Sequence, residues 1–349
     1  MPRPSARTQV SRTSGSVGVR QVARAAGVST ATVSRALNTP ERVTPPIRAR
    51  VLEAARRLNY IPDPAARALS SQRSYRVGAL IPTIDNSIFA RFVEALQKRL
   101  RAAGYGLLIS SYEFDPQLEL EETKGLLEGG IDGLILTGER RDPALYELLS
   151  ARRLPYVLTS IYLPEGPHPC VGYDNRAGAA AVARYLADLG HREIAMIQGP
   201  TAVNDRAFLR ARGVHDALEA RGIPLSPGRV VERPFSITHA RAALRHLLSG
   251  APEITAVVCG NDVLAIGALL EAQSLGLEVP GQLSIVGFDG LELAAQMAPP
   301  ITTVDVHTGR MGRNAGEYLL ARLKGDFAPP KTLIESSLVV RGSSGPPPA

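Results

Sequence analysis

The chain has 349 residues, of which 44% are hydrophobic, a composition that supports two or three folding units with buried cores. No stretch approaches the roughly 20 apolar residues that span a bilayer, and no apolar segment follows the arginines near the N-terminus, so the sequence predicts a cytoplasmic protein without membrane contact. Residues 1–76 contain 14 arginines, no lysine and three acidic residues, for a net charge of +11, whereas the rest of the chain carries −4; this favours nucleic acid as the partner of the N-terminal part.

The N-terminal part reads as a flexible leader followed by a small helical domain. Residues 1–17 are rich in Ser, Arg, Thr, Pro and Gly and show no hydrophobic period. In the stretch VRQVARAAGVSTATVSRALN, Ala23 is small enough for two helices to cross, Gly27 can adopt a positive φ, and Ser29 is placed to cap the second helix. These features predict a helix-turn-helix within a domain over residues 18–61. On these residues alone, an ordinary helical hairpin is the alternative.

The second of these helices carries a short polar series on its exposed side. Thr30, Ala31, Thr32, Ser34 and Arg35 combine small side chains, hydroxyls and one arginine, which suit phosphate and base-edge contacts in a major groove. Ala31 offers only a methyl group, so contact with a thymine methyl is expected there. Arg35 is expected to supply the stronger contact.

After Tyr75 short apolar runs alternate with amphipathic stretches. Runs such as VGALI, GLILT, EIAMI and TAVVC are typical of strands buried on both faces, and the intervening segments have helical spacing. The fold class is therefore predicted as α/β, with parallel sheets in two similar lobes over residues 76–341 and a ligand crevice at the carboxyl ends of the strands. The Pro-, Gly- and Ser-rich end, 342–349, is expected to be a flexible tail.

Several stretches, in this order and spacing, resemble landmarks of the LacI/GalR family of bacterial transcriptional repressors. They are VRQVARAAGVSTATVSRALN, PDPAARALS, VGALIPTIDNSIFARF, YDNRAGAAAVARYLADLGHREIAMIQG, VVCGNDVLAIGAL, LSIVGFDG and PPITTVDV. The resemblance runs from about Val19 to Arg341. It implies a helix-turn-helix headpiece joined to a two-lobed body like that of the periplasmic sugar-binding proteins.

For the headpiece, the resemblance implies specific DNA contacts. Thr30 and Ala31 occupy positions that family members vary to choose bases, and Arg35 matches a base- or phosphate-contacting arginine. Residues 62–75 match the hinge helix and linker, in which Leu69 would enter the minor groove beside Arg67 and bend the duplex. An ordinary Ala-rich linker helix is the alternative for this segment.

For the body, the resemblance implies lobe 1 from about 76–175 and 304–327, and lobe 2 from about 176–303 and 328–341. An effector would be buried between them. The residues that match effector contacts are Ile88, Phe89, Ser160, Arg210, Phe235, Asn261 and Asp289. Taken singly, Asp289 could cap a helix, Phe235 could be core and Arg210 could be a solvated charge.

Two departures from the family pattern bear on the ligand. Thr83 and Ser160 stand where many sugar-responsive relatives carry aspartate, whose carboxylate would bind sugar hydroxyls. The sequence also has no tryptophan to stack on a pyranose ring. A sugar or related metabolite is the expected effector, but these departures weaken the sugar assignment.

The sequence predicts no enzyme, cofactor or metal site. It has no GxxxxGK[ST] loop, no GxGxxG after a strand and no GxSxG elbow, and its six histidines show no i, i+4 or HExxH pairing. The expected function is a homodimeric repressor that binds a pseudo-palindromic operator under the control of a small-molecule effector. The alternative is a solute-binding protein for transport with no DNA role, against which the +11 segment and the missing signal peptide argue.

Overall fold

The computed structural model describes residues 17–61, 73–85 and 87–348. The chain divides into two compact units, Met1–Ser74 and Tyr75–Ala349, which are called here the headpiece and the body. Nearly all of the predicted leader, and the predicted hinge from residue 62 to residue 72, lie outside the described residues.

The headpiece is a helical domain with its own small core. Its helices are α1 (Val19–Ala26), α2 (Thr30–Asn38) and α3 (Pro45–Arg57), with a 3-10 turn at Pro40–Arg42. Gly27 ends α1 with a φ of 63°, the left-handed conformation that the sequence predicts at this turn. The core is formed by Val22, Ala23, Ala26, Val33, Ala36, Val51 and Ala54.

The body alternates strands and helices along its described residues. Its strands are β1 (Arg76–Ile81), β2 (Gly106–Ser111), β3 (Gly133–Thr137), β4 (Tyr156–Thr159), β5 (Cys170–Gly172), β6 (Ile194–Gln198), β7 (Val230–Glu232), β8 (Ala256–Cys259), β9 (Ser284–Val286), β10 (Thr303–Asp305), β11 (Lys331–Leu333) and β12 (Ser337–Val339). Its helices are α4 (Ser87–Ala102), α5 (Pro116–Glu128), α6 (Pro143–Ala151), α7 (Asn175–Asp188), α8 (Asp205–Glu219), α9 (Ile237–Gly250), α10 (Asp262–Ser274), α11 (Glu292–Ala295) and α12 (Thr308–Lys324), with a 3-10 turn at Pro227–Arg229.

Two parallel sheets organise the body. Lobe 1 is built on a six-stranded sheet in the order β11-β5-β4-β3-β1-β2, and lobe 2 on a four-stranded sheet in the order β7-β6-β8-β9. Neighbouring strands within both sheets are parallel, which confirms the predicted sheet type. Strands such as β3 and β6 are buried along their whole length because helices cover both faces.

The chain crosses between the lobes more than once. It leaves lobe 1 after β5, and it returns after β10 to form α12, which packs against α4 and against strands β3, β4 and β5. It then adds β11 to the edge of the lobe 1 sheet, where Lys331–Leu333 pairs with Cys170–Gly172. The strand β12 finally pairs antiparallel with β10.

Two sequence expectations about the C-terminal region are wrong. Lys331–Leu333 belongs to the lobe 1 sheet, although the sequence resemblance places residues 328–341 in lobe 2. The segment after Arg341 is not a loose tail over its described residues, because Ser343 and Ser344 are buried. The N–H of Ile285 donates to the carbonyl of Ser343 at 2.8 Å, so this segment is bound alongside β9.

Among the described residues, no helix is both long enough and apolar enough to cross a membrane.

Candidate nucleic-acid interface and ligand cleft

The exposed side of α2 is held in place by a serine cap. The Oγ of Ser29 accepts from the N–H of Thr32 at 3.1 Å and also lies 2.9 Å from the Thr32 hydroxyl. Thr30, Ala31 and Arg35 are exposed, whereas Thr32 and Ser34 are partly buried. The residues with the most freedom to reach a ligand are therefore Thr30, Ala31 and Arg35.

Hydrogen bonds within α2 further distinguish the polar groups that are already bound from those that remain free for a ligand. The Ser34 hydroxyl accepts from Asn38 Nδ2 at 3.3 Å, and Arg35 Nε donates to the carbonyl of Ala31 at 3.3 Å. The guanidinium of Arg35 thus lies along the helix surface, and its Nη groups keep their donors for an external acceptor. The predicted hinge contacts Arg67 and Leu69 lie outside the described residues.

The headpiece also exposes arginines that the sequence prediction did not single out. Arg20, Arg24 and Arg48 are exposed on α1 and α3. Two acidic residues, Glu41 and Glu53, lie within the described headpiece, and Glu53 pairs with Arg56. The signal for these residues in the sequence is the excess of arginine in this segment. Such an excess does not indicate which arginines lie on the same side of the headpiece as α2.

In the body, residues that follow strands of the two sheets meet around one inner cavity. Ser160 follows β4, Phe235 follows β7, Asn261 follows β8 and Asp289 follows β9. Carboxyl ends of parallel strands are the usual place for a ligand in this class of fold. The cavity encloses about 40 Å³ and is lined by Thr83, Ile88, Phe89, Phe114, Ser160, Tyr173, Asn204, Arg206, Arg210, Phe235, Asn261 and Asp289. All seven residues expected from the sequence are therefore brought together.

A buried ion pair contributes to the lining of this cavity. Arg210 Nη1 donates to Asp289 Oδ1 at 3.3 Å, and each side chain is less than 10% exposed. The Arg210 guanidinium also lies 4.7 Å from the centroid of the Phe288 ring. Arg210 is therefore not a solvated charge, and the Asp289 carboxylate faces this arginine.

The ion pair is incompletely satisfied. Burial raises the pKa of Asp289 to about 6, although Arg210 opposes this shift. The buried Nε of Arg210 has no hydrogen-bond partner among the described residues. A buried donor of this kind costs roughly 1–3 kcal/mol unless an acceptor reaches it.

Two asparagines that line the cavity also serve as N-caps of helices in lobe 2. Asn204 Oδ1 accepts from the N–H of Ala207 at 3.2 Å at the start of α8. Asn261 Oδ1 accepts from the N–H of Leu264 at 2.9 Å at the start of α10. Each asparagine therefore supports a helix N-terminus and lines the cavity as well.

Arg206 and Asp205 join the two lobes beside the cavity. Arg206 Nη1 donates to Asp205 Oδ1 at 2.7 Å and to the carbonyl of Thr137 in lobe 1 at 3.2 Å. Asp205 Oδ2 accepts from the N–H groups of Glu139 at 2.5 Å and Arg140 at 2.9 Å. Burial alone raises the pKa of Asp205, but Arg206 and these backbone donors outweigh it and lower the pKa below its ordinary value.

Besides Thr83, whose position the family pattern already marks, four residues of the cavity were missed by the sequence prediction: Phe114, Tyr173, Asn204 and Arg206. Arg206 precedes Arg210 by one helical turn, so both lie on the same face of α8, and this spacing could have indicated it. Tyr173 directly follows β5. Phe114 and Asn204 stand further from the ends of their strands, where loop geometry cannot be deduced from sequence.

An outer cleft of about 1020 Å³ lies next to the inner cavity. Thr83, Phe114, Asn204 and Phe235 line both spaces. The rings of Phe114 and Phe235, one from each lobe, lie 6.0 Å apart. At about 40 Å³ the inner cavity is far smaller than a typical ligand site, so a ligand reaches Arg210 only if the lobes separate.

Comparison with known protein families gives a match to each unit. Residues 19–63 match the family described as "Bacterial regulatory proteins, lacI family". Residues 183–344 match the family described as "Periplasmic binding protein-like domain".

Similar proteins extend over nearly the whole chain. The transcriptional regulator GntR of Escherichia coli (strain K12) is 33% identical over 320 residues, covering 90% of this chain and 94% of that protein. The transcriptional repressor CytR of the same strain is 33% identical over 328 residues, covering 93% and 96%. A crystal structure of the lac repressor dimer bound to operator and the anti-inducer ONPF is similar with a TM-score of 0.85 and 26% identity, covering 95% of this chain and all of that one.

Proposed function

Because the chain belongs to the LacI family of bacterial regulatory proteins, we propose that it binds operator DNA as a homodimer and that a small molecule in the cleft controls this binding. It is a DNA-binding transcriptional regulator. The observation that carries the proposal for the cleft is that seven residues expected from the sequence surround a single cavity at the carboxyl ends of both sheets.

The DNA contacts belong to α2. Thr30 and Ala31 are exposed in the first turn of this helix, where helix-turn-helix proteins reach base edges. Arg35 supplies a charged donor one turn later. Thr32 and Ser34 contribute to binding by contacting phosphates of the DNA backbone. Arg67 and Leu69 remain predicted contacts at the centre of the operator.

Control by a ligand follows from the arrangement of the lobes. The inner cavity has residues from both lobes, so a bound ligand changes the balance between open and closed arrangements. Coupling is reciprocal: a ligand that weakens operator binding must itself bind less tightly to the operator-bound protein, by the same factor.

A gel-shift experiment on the full-length protein tests the DNA role. Bound sequences are first selected from random DNA, and the affinity is then measured on the selected site and on scrambled DNA at several salt concentrations. Arg35→Ala is expected to cost about 1–3 kcal/mol on the selected site and to relax the preference for one base pair.

Arg57→Ala is the matched control, because Arg57 is an exposed arginine of the same domain at the end of α3. It is expected to weaken binding to both DNAs by the same factor, as loss of a general positive charge would. If wild type selects no sequence, the proposed operator binding is contradicted and a solute-binding function becomes the better account. If wild type selects a site but both variants behave alike, only the assignment of base reading to Arg35 is contradicted.

A further inference from the structure

An open groove runs between α4 and the start of α12 on the surface of the body, and it is called here the basic groove. It encloses about 850 Å³ and shares no lining residue with the inner cavity or the outer cleft. Cationic side chains outnumber acidic ones along it by five to two: Arg91, Lys98, Arg99, Arg310 and Arg313 against Glu94 and Asp305. This composition favours an anion as its ligand.

Close packing of the two helices brings these cations to one groove. A Cβ added at Gly312 of α12 would lie 2.4 Å from the carbonyl oxygen of Phe92 in α4, and one added at Gly316 would lie 3.3 Å from Leu96 Cδ1. Glycine at these positions lets the two backbones approach each other. Basic residues from both helices therefore line the same groove.

The charges of the basic groove are only partly neutralised. Three of the cations have ion-pair partners: Lys98 with Glu94, Arg91 with Glu292 and Arg99 with Glu317. Arg310 and Arg313 are exposed, and their side chains form no ion pair or hydrogen bond within the described part of the chain. Because they are three positions apart on one helix face, their like charges repel each other. Asp305 is engaged locally, since its Oδ1 accepts from the N–H of His307 at 2.9 Å.

The N-terminus of α12 adds backbone donors to the basic groove. This helix of 17 residues begins at Thr308, and His307 before it provides no side-chain cap. The N–H groups of Thr308 and Gly309 precede the first bond back to the carbonyl of His307, which Arg310 donates at 2.9 Å. No heavy atom lies within 4 Å of the point that a Cβ of Gly309 would occupy, so an anion has space to approach these donors.

The hydroxyl of Thr308 independently indicates an oxygen ligand. Thr308 lines the basic groove, although its residue surface is only 7% exposed. Its hydroxyl has no hydrogen-bond partner among the residues that the structure describes. A hydroxyl that is withdrawn from water needs a partner, and an oxyanion beside the helix N-terminus would supply one.

We propose that the basic groove binds the phosphoryl group of a small phosphorylated metabolite. The phosphoryl oxygens accept from the N–H groups of Thr308 and Gly309 and from the Thr308 hydroxyl, and Arg310 and Arg313 balance the negative charge. A phosphoryl group offers three strong acceptor oxygens and up to two negative charges, which match donors and cations that come from several directions. The open groove leaves room for the rest of the metabolite. This site is separate from the cleft, so it does not depend on the function proposed for the cleft.

Matched small compounds test the chemical class. The full-length protein is titrated with pyrophosphate and glycerol 3-phosphate, and in parallel with acetate and glycerol, at one ionic strength set with chloride. Calorimetry and phosphorus NMR give the affinities. At least one of the phosphate compounds is expected to bind about tenfold or more tightly than acetate. The proposal is overturned if neither phosphate compound binds more tightly than acetate.

Substitutions at Gly309 separate binding from folding. Gly309→Asp places a carboxylate where the phosphoryl group is expected, and a negative charge in the first turn of a helix is favourable, so the melting temperature without ligand should not fall. Binding of the phosphate compound is expected to weaken by about tenfold or more. Gly309→Asn has nearly the same shape without the charge and should weaken binding by less.

Arg313→Ala and Arg101→Ala form the matched arginine pair. Both residues are exposed, on α12 and α4, but Arg101 does not line the basic groove. Arg313→Ala is expected to weaken binding about three- to tenfold, and Arg101→Ala is expected to bind as wild type does. Equal affinity of wild type, Arg313→Ala and Gly309→Asp would place the bound phosphate elsewhere, such as on the arginines of the headpiece, and would overturn the proposal.

Gel shifts with the same variants distinguish a metabolite from nucleic acid as the ligand of the basic groove. If Arg313→Ala weakens binding of scrambled DNA more than Arg101→Ala does, while the small phosphate compounds do not bind, the groove contacts DNA and the proposal is overturned. If the phosphate compounds bind with the expected variant pattern while wild type selects no operator, the phosphate site stands and the proposed DNA role is wrong.

Discussion

Gly138 shows how a single backbone position determines the geometry between the lobes. Its φ is +80°, and a Cβ added there would overlap Arg206 Nη1 and lie 2.6 Å from Asp205 Oδ1. Only glycine both adopts this conformation readily and leaves the space that these side chains occupy. The contact of Arg206 with the carbonyl of Thr137 therefore depends on the residue next to that carbonyl.

Gly138→Ala is expected to destabilise the body by about 1–3 kcal/mol more than Gly104→Ala does. Gly104 has a nearly identical φ of +79°, but no heavy atom lies within 4 Å of the point that a Cβ would occupy there, so both variants carry the same backbone strain and only the first displaces Arg206. Urea unfolding followed by circular dichroism gives the two free energies. Equal losses would show that Gly138 serves the backbone turn alone.

The residues of the cleft differ in how well sequence could predict them. Ser160, Asn261 and Asp289 follow apolar runs that predict buried strands, so their place at one edge of the sheets could be anticipated. The contact of Arg206 with Thr137 joins positions 69 apart along the chain, and no local pattern indicates it. The cap of Ser29 on α2, by contrast, is local and was predicted correctly.

At the scale of elements, the C-terminal segment is bound to lobe 2 by a buried histidine. His191 Nε2 donates to the carbonyl of Gly345 at 2.8 Å, and Nδ1 lies 2.8 Å from the Thr255 hydroxyl. This side chain is fully buried. The composition of 342–349 is typical of flexible chain and so predicts a tail, whereas the order of this segment comes from partners far away in sequence.

Burial lowers the pKa of His191, despite the opposing effect of its bond to Gly345. Below the ordinary pKa of about 6.5, the unfolded chain takes up a proton that the folded protein resists. The stability that neutral His191 gives is therefore complete above about pH 6.5 and is lost as the pH falls toward the lowered value.

The contribution of His191 to the free energy of unfolding is therefore expected to be smaller at about pH 5 than at about pH 7.5, and His191→Gln is expected to remove this contribution from the difference between the two pH values. Urea unfolding at the two pH values measures it. His239→Gln, at an exposed position of α9, is the control and should leave the difference as in wild type. An unchanged difference in His191→Gln would show that other groups cause the acid sensitivity.

The strands show which features of the sheets could be predicted from the sequence and which could not. Long apolar runs such as β3 and β6 predicted both sheets correctly. Lys331–Leu333 is only three residues long and partly exposed, so nothing in its sequence distinguishes lobe 1 from lobe 2. Its place is determined by the crossing of the chain between lobes, which is a property of the whole fold.

For the body as a whole, contacts across the cleft determine how easily a ligand enters. Arg140 of lobe 1 donates to the carbonyls of Thr201 at 3.1 Å and Ala202 at 3.0 Å in lobe 2. Its guanidinium also lies 5.3 Å from the centroid of the Phe208 ring. These contacts stabilise the closed arrangement in which the inner cavity encloses about 40 Å³.

Another contact between the lobes is an exposed ion pair. Arg91 Nη2 lies 2.7 Å from Glu292 Oε2, with side chains 48% and 74% exposed. Exposed pairs contribute about 0–1 kcal/mol, because water and salt screen the charges. Arg91→Ala therefore serves as a matched control for the loss of an arginine that bridges the lobes.

Arg140→Ala is expected to favour lobe opening by about 1–2 kcal/mol, which corresponds to an increase of about 5–30-fold in the ratio of open to closed protein. The N–H of Glu139 is bound by Asp205 across the cleft, so its exchange with solvent reports opening. Hydrogen–deuterium exchange of a peptide covering residues 137–142 should accelerate by that factor in Arg140→Ala and by less than about threefold in Arg91→Ala. Equal exchange rates in wild type and Arg140→Ala would show that the contacts of Arg140 contribute nothing to closure, which would then rest on the other contacts between the lobes, such as those of Asp205 and Arg206.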